Sequence, residues 1–170
     1  MRKRRTKKVT LKFKREELLY DCKNYAYIEG DVMEAKTEHD RHQVFDICED
    51  GNVDRVTRVL NLAFAQCVEL CYPYTKVDAA EETELNDVLE YREVYEMKML
   101  VYEDFSHTTL ELLRHLIHEL MVYQVMADWM SFTKKESKTN WQEKIEDAEK
   151  DILVRLNGRT GVVRRKSSPF

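Results

Sequence analysis

Two histidines and two glutamates lie close together around an otherwise apolar run, LLRHLIHELMVYQVMADWMS at residues 112–131. His115, His118, Glu111 and Glu119 place four possible metal ligands within about two helical turns. A carboxylate-bridged di-metal site needs a Glu-x-x-His motif from each of two helices and glutamates from two more. Glu111 and His115 are one residue too far apart, no second helix supplies the motif, and HEL lacks the second histidine of H-E-x-x-H. We therefore predict no metal ion and interpret these histidines as polar residues at a helix surface or subunit contact.

No other motif points to catalysis or to a cofactor. His39 and His42, in TEHDRH, lie in a predicted loop without a further ligand pattern. Ser106 beside His107 has no third group to complete a catalytic set. The four glycines are too scattered for a phosphate-binding loop, and no G-x-S-x-G elbow occurs. We expect no cofactor and no enzymatic activity; a small helical enzyme of unknown type is the disfavoured option.

The cysteines are interpreted as small apolar core residues in a reducing compartment. None forms a CxxC pair, and further ligands at zinc-site spacing do not accompany them. Cys67 and Cys71 stack on one face of a predicted helix, and the other two are Cys22 and Cys48.

Charge is unevenly distributed along the 170 residues, whose net charge is −4. Six basic residues in 1–8 and four in 159–170, with no acid in either segment, leave −14 for the rest. An acidic body with basic ends favours electrostatic contact between neighbouring copies, or contact of the ends with nucleic acid. Simple solvation of both ends stays open as the alternative.

No stretch approaches the roughly 20 apolar residues of a membrane span. No apolar signal segment follows the basic start, MRKRRTKK. We expect a protein that contacts no membrane and is made or assembled inside a cell.

Hydrophobic periodicity predicts two strands and four helices. Clean alternation marks strands, and 3.6-residue spacing marks helices; the strands are 9–14 and 90–102, and the helices are 15–35, 53–72, 108–133 and 140–157. The segments 36–51 and 76–90 are predicted loops, the first with one or two helical turns.

Three helix starts carry capping signals. Asn52 is the predicted N-cap of helix 53–72. Thr108 with Glu111, and Thr139 with Gln142, match the capping box that begins a helix.

Only four glycines and two prolines occur, which favours long helices. Helix 108–133 is apolar around most of its circumference, so we expect other protein to enclose it on nearly all sides. The predicted fold is mainly α: a helical bundle around this long central helix, with two short β-strands and extended basic termini. The predicted organisation is a basic N-terminal arm (1–8), a single helical domain (9–158) and a basic C-terminal tail (159–170).

Seven tyrosines cluster around the ends of the predicted elements. Aromatic residues there are core edges in one interpretation and an interface between copies in the other. The seven are Tyr20, Tyr25, Tyr27, Tyr72, Tyr74, Tyr91 and Tyr95.

The C-terminal half resembles the helical core of phage head–tail connector and neck proteins, of the kind encoded by Bacteroides phages and prophages. The resemblance covers residues 91–170: a strand, the lead-in DFSHTT, the long apolar helix, and NWQEKIEDAEKDILVRLNGR after a short polar break. The N-terminal half departs from the smallest connectors. The resemblance implies a non-enzymatic ring of identical subunits in the virion neck, between portal and tail, assembled in the cytoplasm of a bacterial host. It implies portal, capsid or tail proteins as partners, with incidental DNA contact.

Under this interpretation the basic ends carry the assembly contacts, because they cannot fold alone. The predicted interface residues are Arg2, Lys3, Arg4, Arg5, Arg164, Arg165, Lys166 and Phe170. An exposed strand edge offers a second route to contact with another chain. The alternative function is a nucleic-acid-binding accessory protein that uses the basic arms, although the acidic body disfavours a broad DNA-binding face.

Overall fold

The computed structural model describes residues 5–34, 37–76 and 89–157. Helices dominate, so the predicted mainly α class is confirmed. The elements in chain order are β1 (Thr6–Lys14), α1 (Arg15–Asp31), α2 (Glu38–Phe45), a 3-10 turn (Asp46–Cys48), α3 (Val53–Leu70), β2 (Val94–Tyr102), α4 (His107–Thr133) and α5 (Lys135–Asn157). Most of the predicted loop at 76–90 lies outside the described residues.

The two strands form an antiparallel sheet whose buried face follows the predicted alternation. Leu11 pairs with Met97 and Phe13 with Tyr95 across the sheet, and all four side chains are buried. A strand presents alternate residues to one face, so the period-two pattern fixes which side chains enter the core. β1 begins three residues before the predicted strand, so Lys7 and Lys8, assigned to the arm, lie in the strand.

α4 packs against α1, α2, α3, α5 and β1. Every side chain from Leu120 to Met130 is buried or half-buried, as enclosure by protein requires. In the first half of the helix, however, Glu111, Leu112 and His115 are exposed. The prediction that protein encloses the helix on nearly all sides is therefore wrong for this half, which presents polar side chains to solvent.

Both predicted capping boxes are wrong. α4 begins at His107 with Ser106 at the N-cap position, which puts Thr108 inside the first turn. α5 begins at Lys135, five residues before the predicted start, so Thr139 lies within the helix. A capping box does form at α2, whose eight residues make about two helical turns, as predicted for this segment, and it pairs Thr37 with Asp40.

α3 follows the prediction closely. Val56, Leu60, Ala63 and Cys67 of its apolar stripe are buried. Asn52 occupies the predicted N-cap position, but its side chain donates to the carbonyl oxygen of Asp46 at 2.8 Å rather than capping the helix.

The interpretation of the cysteines as core residues is confirmed for Cys22, Cys67 and Cys71, which are buried, and Cys48 is half-buried. Burial raises the pKa of the Cys48 thiol to about 11 and that of Cys71 to about 12. These thiols are protonated at neutral pH, so they behave as small apolar side chains.

Candidate functional site

The polar residues of α4 line an open cleft between α4 and α1. The cleft has a volume of about 730 Å³. His118 Nε2 lies 2.6 Å from Asp21 Oδ2, which makes an ion pair between α4 and α1 when the imidazole is protonated. Glu119 Oε2 accepts a hydrogen bond from the Tyr25 hydroxyl at 3.2 Å. Two of the four predicted polar residues therefore have partners on α1 that sequence spacing does not reveal.

The other two residues face solvent. Glu111 is not part of the cleft lining, and its Oε1 lies 3.9 Å from His107 Nδ1. His115 lines the cleft with its Nε2 3.4 Å from the guanidinium of Arg114. The four side chains thus do not converge on one point, and no group of three His, Cys, Asp or Glu residues in the described parts of the chain could hold a metal ion.

The cleft has mixed charge, and no serine, threonine or cysteine is part of its lining. Its residues are Lys14, Glu16, Glu17, Tyr20, Asp21, Arg114, His115, His118 and Glu119. An aspartate that orients a histidine serves covalent catalysis only when a hydroxyl or thiol lies within hydrogen-bond reach of the imidazole. Tyr20 supplies a hydroxyl to this lining, and the Asp21–His118 pair joins α1 to α4 at its wall.

The remaining histidine candidates are also dispersed. His39 and His42 lie on α2 rather than in the predicted loop. His39 Nε2 is 3.1 Å from the side-chain nitrogen of Gln43, and the ring of His42 contacts Phe45 edge-on. Each histidine therefore has a local partner on its own helix.

A polar network joins the C-terminal half of α1 to the junction of α4 and α5. Glu29 Oε2 accepts hydrogen bonds from Lys134 Nζ at 2.8 Å and Ser137 Oγ at 2.9 Å, and Oε1 accepts one from Trp141 Nε1 at 3.0 Å. Burial raises the pKa of the Glu29 carboxyl, but these donors and the Lys134 charge outweigh burial and hold the pKa below its ordinary value. The network fixes α5 against α1.

The solvent side of α1 carries a stripe of large apolar side chains, which we call the α1 outer face: Tyr20, Tyr27, Ile28 and the C-cap residue Val32. Their exposed fractions are 68%, 61%, 51% and 69%. The opposite side of the same helix is buried through Leu18, Cys22 and Ala26. Exposed Lys23 and Asn24 lie between Tyr20 and Tyr27, so the face combines large apolar side chains with polar ones. Clusters of exposed apolar side chains rimmed by polar residues are typical of interaction sites.

The tyrosines divide between the two predicted interpretations. Tyr74 and Tyr95 are buried and Tyr25 is half-buried, which fits core edges. The core-edge interpretation is wrong for the four exposed tyrosines, Tyr20, Tyr27, Tyr72 and Tyr91. A signal for the α1 outer face was available, since Tyr20 and Tyr27 are seven residues apart and fall outside the helix's buried stripe.

Of the predicted interface residues, Arg5 alone lies within the described ranges, and it is exposed. Arg2, Lys3, Arg4, Arg164, Arg165, Lys166 and Phe170 lie outside them. The points from which the two basic ends continue are close together, because Thr6 and Asn157 line the same cleft. The Tyr74 hydroxyl also donates to the carbonyl oxygen of Leu156 at 3.2 Å. The folded body thus places the residues from which both basic ends continue at one pole.

No family model, curated protein or solved structure matches this chain. Among the helices described, none has the length and apolar content needed to cross a membrane.

Proposed function

We propose that this chain is a non-enzymatic structural protein that acts by assembling with copies of itself in the neck of a phage particle, between portal and tail. The observation that carries the assembly is the α1 outer face, where four large apolar side chains are more than half exposed along one helix. Covering such a surface with protein is favourable by roughly 25 cal/mol per Å² of apolar area.

The helices form a bundle around α4 in this proposal. Contacts of α4 with four other helices and with β1 support that arrangement. A bundle held on a long helix gives each subunit a stiff body, which a ring that carries load between head and tail requires.

Further support for assembly comes from the sheet. Among the described residues β1 pairs with β2 alone, so one edge of β1 has no strand beside it. An edge strand can pair with an extended segment of another chain. The placement in the neck rests on the resemblance of residues 91–170, and the basic ends at one pole suit contact with neighbouring proteins.

Native mass spectrometry of the purified protein, alone and with portal oligomers encoded by the same genome, tests the proposal. We expect concentration-dependent homo-oligomers and a complex with the portal. A protein that stays monomeric at high concentration and does not bind the portal would contradict the proposal. A portal or capsid gene beside this one would add independent support.

The convergence of the basic ends also favours a second candidate, a nucleic-acid-binding accessory protein. Binding through phosphate contacts weakens steeply as salt rises. Filter binding of duplex DNA at low and physiological salt distinguishes the two, because a neck subunit needs no strong DNA binding. Tight, salt-sensitive binding by a monomer would favour the second candidate.

A further inference from the structure

We propose that the α1 outer face binds residues 158–170 of a second copy of this chain. This inference rests on the proposed function, since it names the contact through which copies assemble. The α1 outer face and residues 158–170 are complementary in two respects, apolar character and charge.

The apolar match centres on aromatic rings. The Phe45 ring stacks on Tyr27 with a centroid distance of 5.4 Å, and both rings line a shallow cleft of about 340 Å³ that also includes Tyr20. Residues 158–170 supply Val162, Val163 and Phe170. A phenylalanine ring in this cleft adds to an existing aromatic pair, and such contacts are favourable beyond the area they bury.

The charge match is strong. Residues 15–50, which carry α1, α2 and the 3-10 turn, contain eleven acidic and four basic residues, a net −7. Asp31, Glu34 and Glu49 are exposed near or beside the stripe. Glu49 lines the cleft together with Lys23, so the excess of acid lies around the cleft rather than in it. Residues 158–170 contain four basic residues and no acid. Opposite charge steers such partners together and fixes which surface is chosen.

Geometry favours a second copy over the same chain. Residues 158–170 continue from Asn157, beside Thr6. α1 begins nine residues beyond Thr6, about 30 Å along β1. The other end of α1 adjoins the start of α5, and the 23 residues of α5 place Asn157 about 34 Å away.

Thirteen residues span at most about 45 Å. If residues 158–170 bound the α1 outer face of their own chain, most of that length would be needed to span the body between Asn157 and α1. A neighbouring copy can place the segment there directly. This contact is head-to-tail, and repeated contacts of that type close into a ring when the rotation allows.

Sedimentation velocity on full-length variants tests the inference. The face variant is Tyr20→Ser with Tyr27→Ser, and the segment variant is Arg164→Ala with Arg165→Ala and Phe170→Ala. We expect each change to raise the dissociation constant for self-association at least about tenfold. Since each variant keeps one intact half of the contact, an equimolar mixture of the two should form heterodimers that grow no further.

A matched control replaces two exposed apolar residues elsewhere, Leu62→Ser with Val154→Ser, and should keep the parent's association. Circular dichroism and thermal melting establish that each variant is folded. If both test variants associate like the parent, this inference is wrong although self-assembly stands. If the face variant dissociates and the segment variant does not, the face binds a different partner segment. A parent that is monomeric at every concentration contradicts both this inference and the proposed function.

Discussion

Replacing Glu29 with alanine removes the acceptor that holds α5 against α1. Ser137 and Trp141 then lose their acceptor on residue 29, and Lys134 keeps there only the backbone carbonyl oxygen, at 3.3 Å. The side chains of Lys134 and Glu29 are only 14% and 18% exposed, so water replaces the lost contacts poorly. Removing one member of a buried ion pair costs about 3–5 kcal/mol, and the remaining exposure places this case near the lower end, at about 3 kcal/mol. For a chain of this size that corresponds to a fall in Tm of about 6–12 °C.

Urea unfolding followed by tryptophan fluorescence and circular dichroism measures the effect. A double-mutant cycle of Glu29→Ala with Lys134→Met isolates the interaction of the pair. We expect the loss of unfolding free energy in the double variant to be smaller than the sum of the two single losses by at least about 1 kcal/mol. Glu34→Ala removes an exposed acid nearby and should change stability by less than about 0.5 kcal/mol. A Glu29→Ala loss below about 1 kcal/mol, or strictly additive single effects, would show that the network does not stabilise the junction.

The pH dependence gives a second check on the same network. Because the folded pKa of Glu29 lies below its ordinary value of 4.5, its contribution is fully present above that pH. The contribution is lost as pH falls through the folded pKa, because protonation then occurs in the folded state too. The stability gap between the parent and Glu29→Ala should therefore be constant near neutral pH and narrow in acid. A gap that widens in acid would contradict this assignment.

Three further predictions follow from local contacts. A Cβ on Gly30 would meet the Phe45 ring. Gly30→Ala should therefore lower the free energy of unfolding by about 1 kcal/mol, after the gain in helix propensity is counted. In a Phe45→Ala background the same change should be stabilising, and urea unfolding measures both effects. Maleimide should label the half-buried Cys48 first, and the three buried thiols only after unfolding, as counted by mass spectrometry. Zinc should not raise Tm, because His118 is already paired with Asp21; stoichiometric metal in purified protein would contradict this expectation.

Patterns that depend on near neighbours in the chain were predictable. The alternation in the two strands identified the buried residues Leu11, Phe13, Tyr95 and Met97, because a strand's geometry ties sequence position to face. The buried stripe of α3 was predictable for the same reason, since helical periodicity fixes which side chains share a face. The strand ends and the start of α5 were not, because they depend on contacts with distant segments.

The helix starts show why capping patterns misled. Thr139 matches a capping box locally, yet α5 begins at Lys135. Glu29 holds Ser137 and Lys134 from a position more than a hundred residues away, and that network extends the helix backwards past its apparent cap. A local signal of about 1 kcal/mol is overridden when tertiary contacts stabilise the alternative start.

The candidate sites depended even more on long-range placement. The pairing of His118 with Asp21 joins residues 97 positions apart, and the cleft that Thr6 and Asn157 share brings the two ends of the body close together. Neither pair has a sequence signature, because each follows from how α1, α4 and the sheet pack. The sequence predicted that Glu111, His115, His118 and Glu119 lie on one helix, but it did not identify the residues that they contact.

The weak amphipathicity of α1 carries the functional interpretation. A helix that buries one face in its own chain normally presents charge on the other, and α5 does so over residues 142–151. α1 instead presents Tyr20, Tyr27 and Ile28 on the side opposite Leu18, Cys22 and Ala26. Apolar residues on two sides are the pattern of a helix covered on two sides, and the described chain covers only one. The second cover that we propose is apolar where it meets the rings and basic where it meets the acids, and residues 158–170 contain both kinds of side chain.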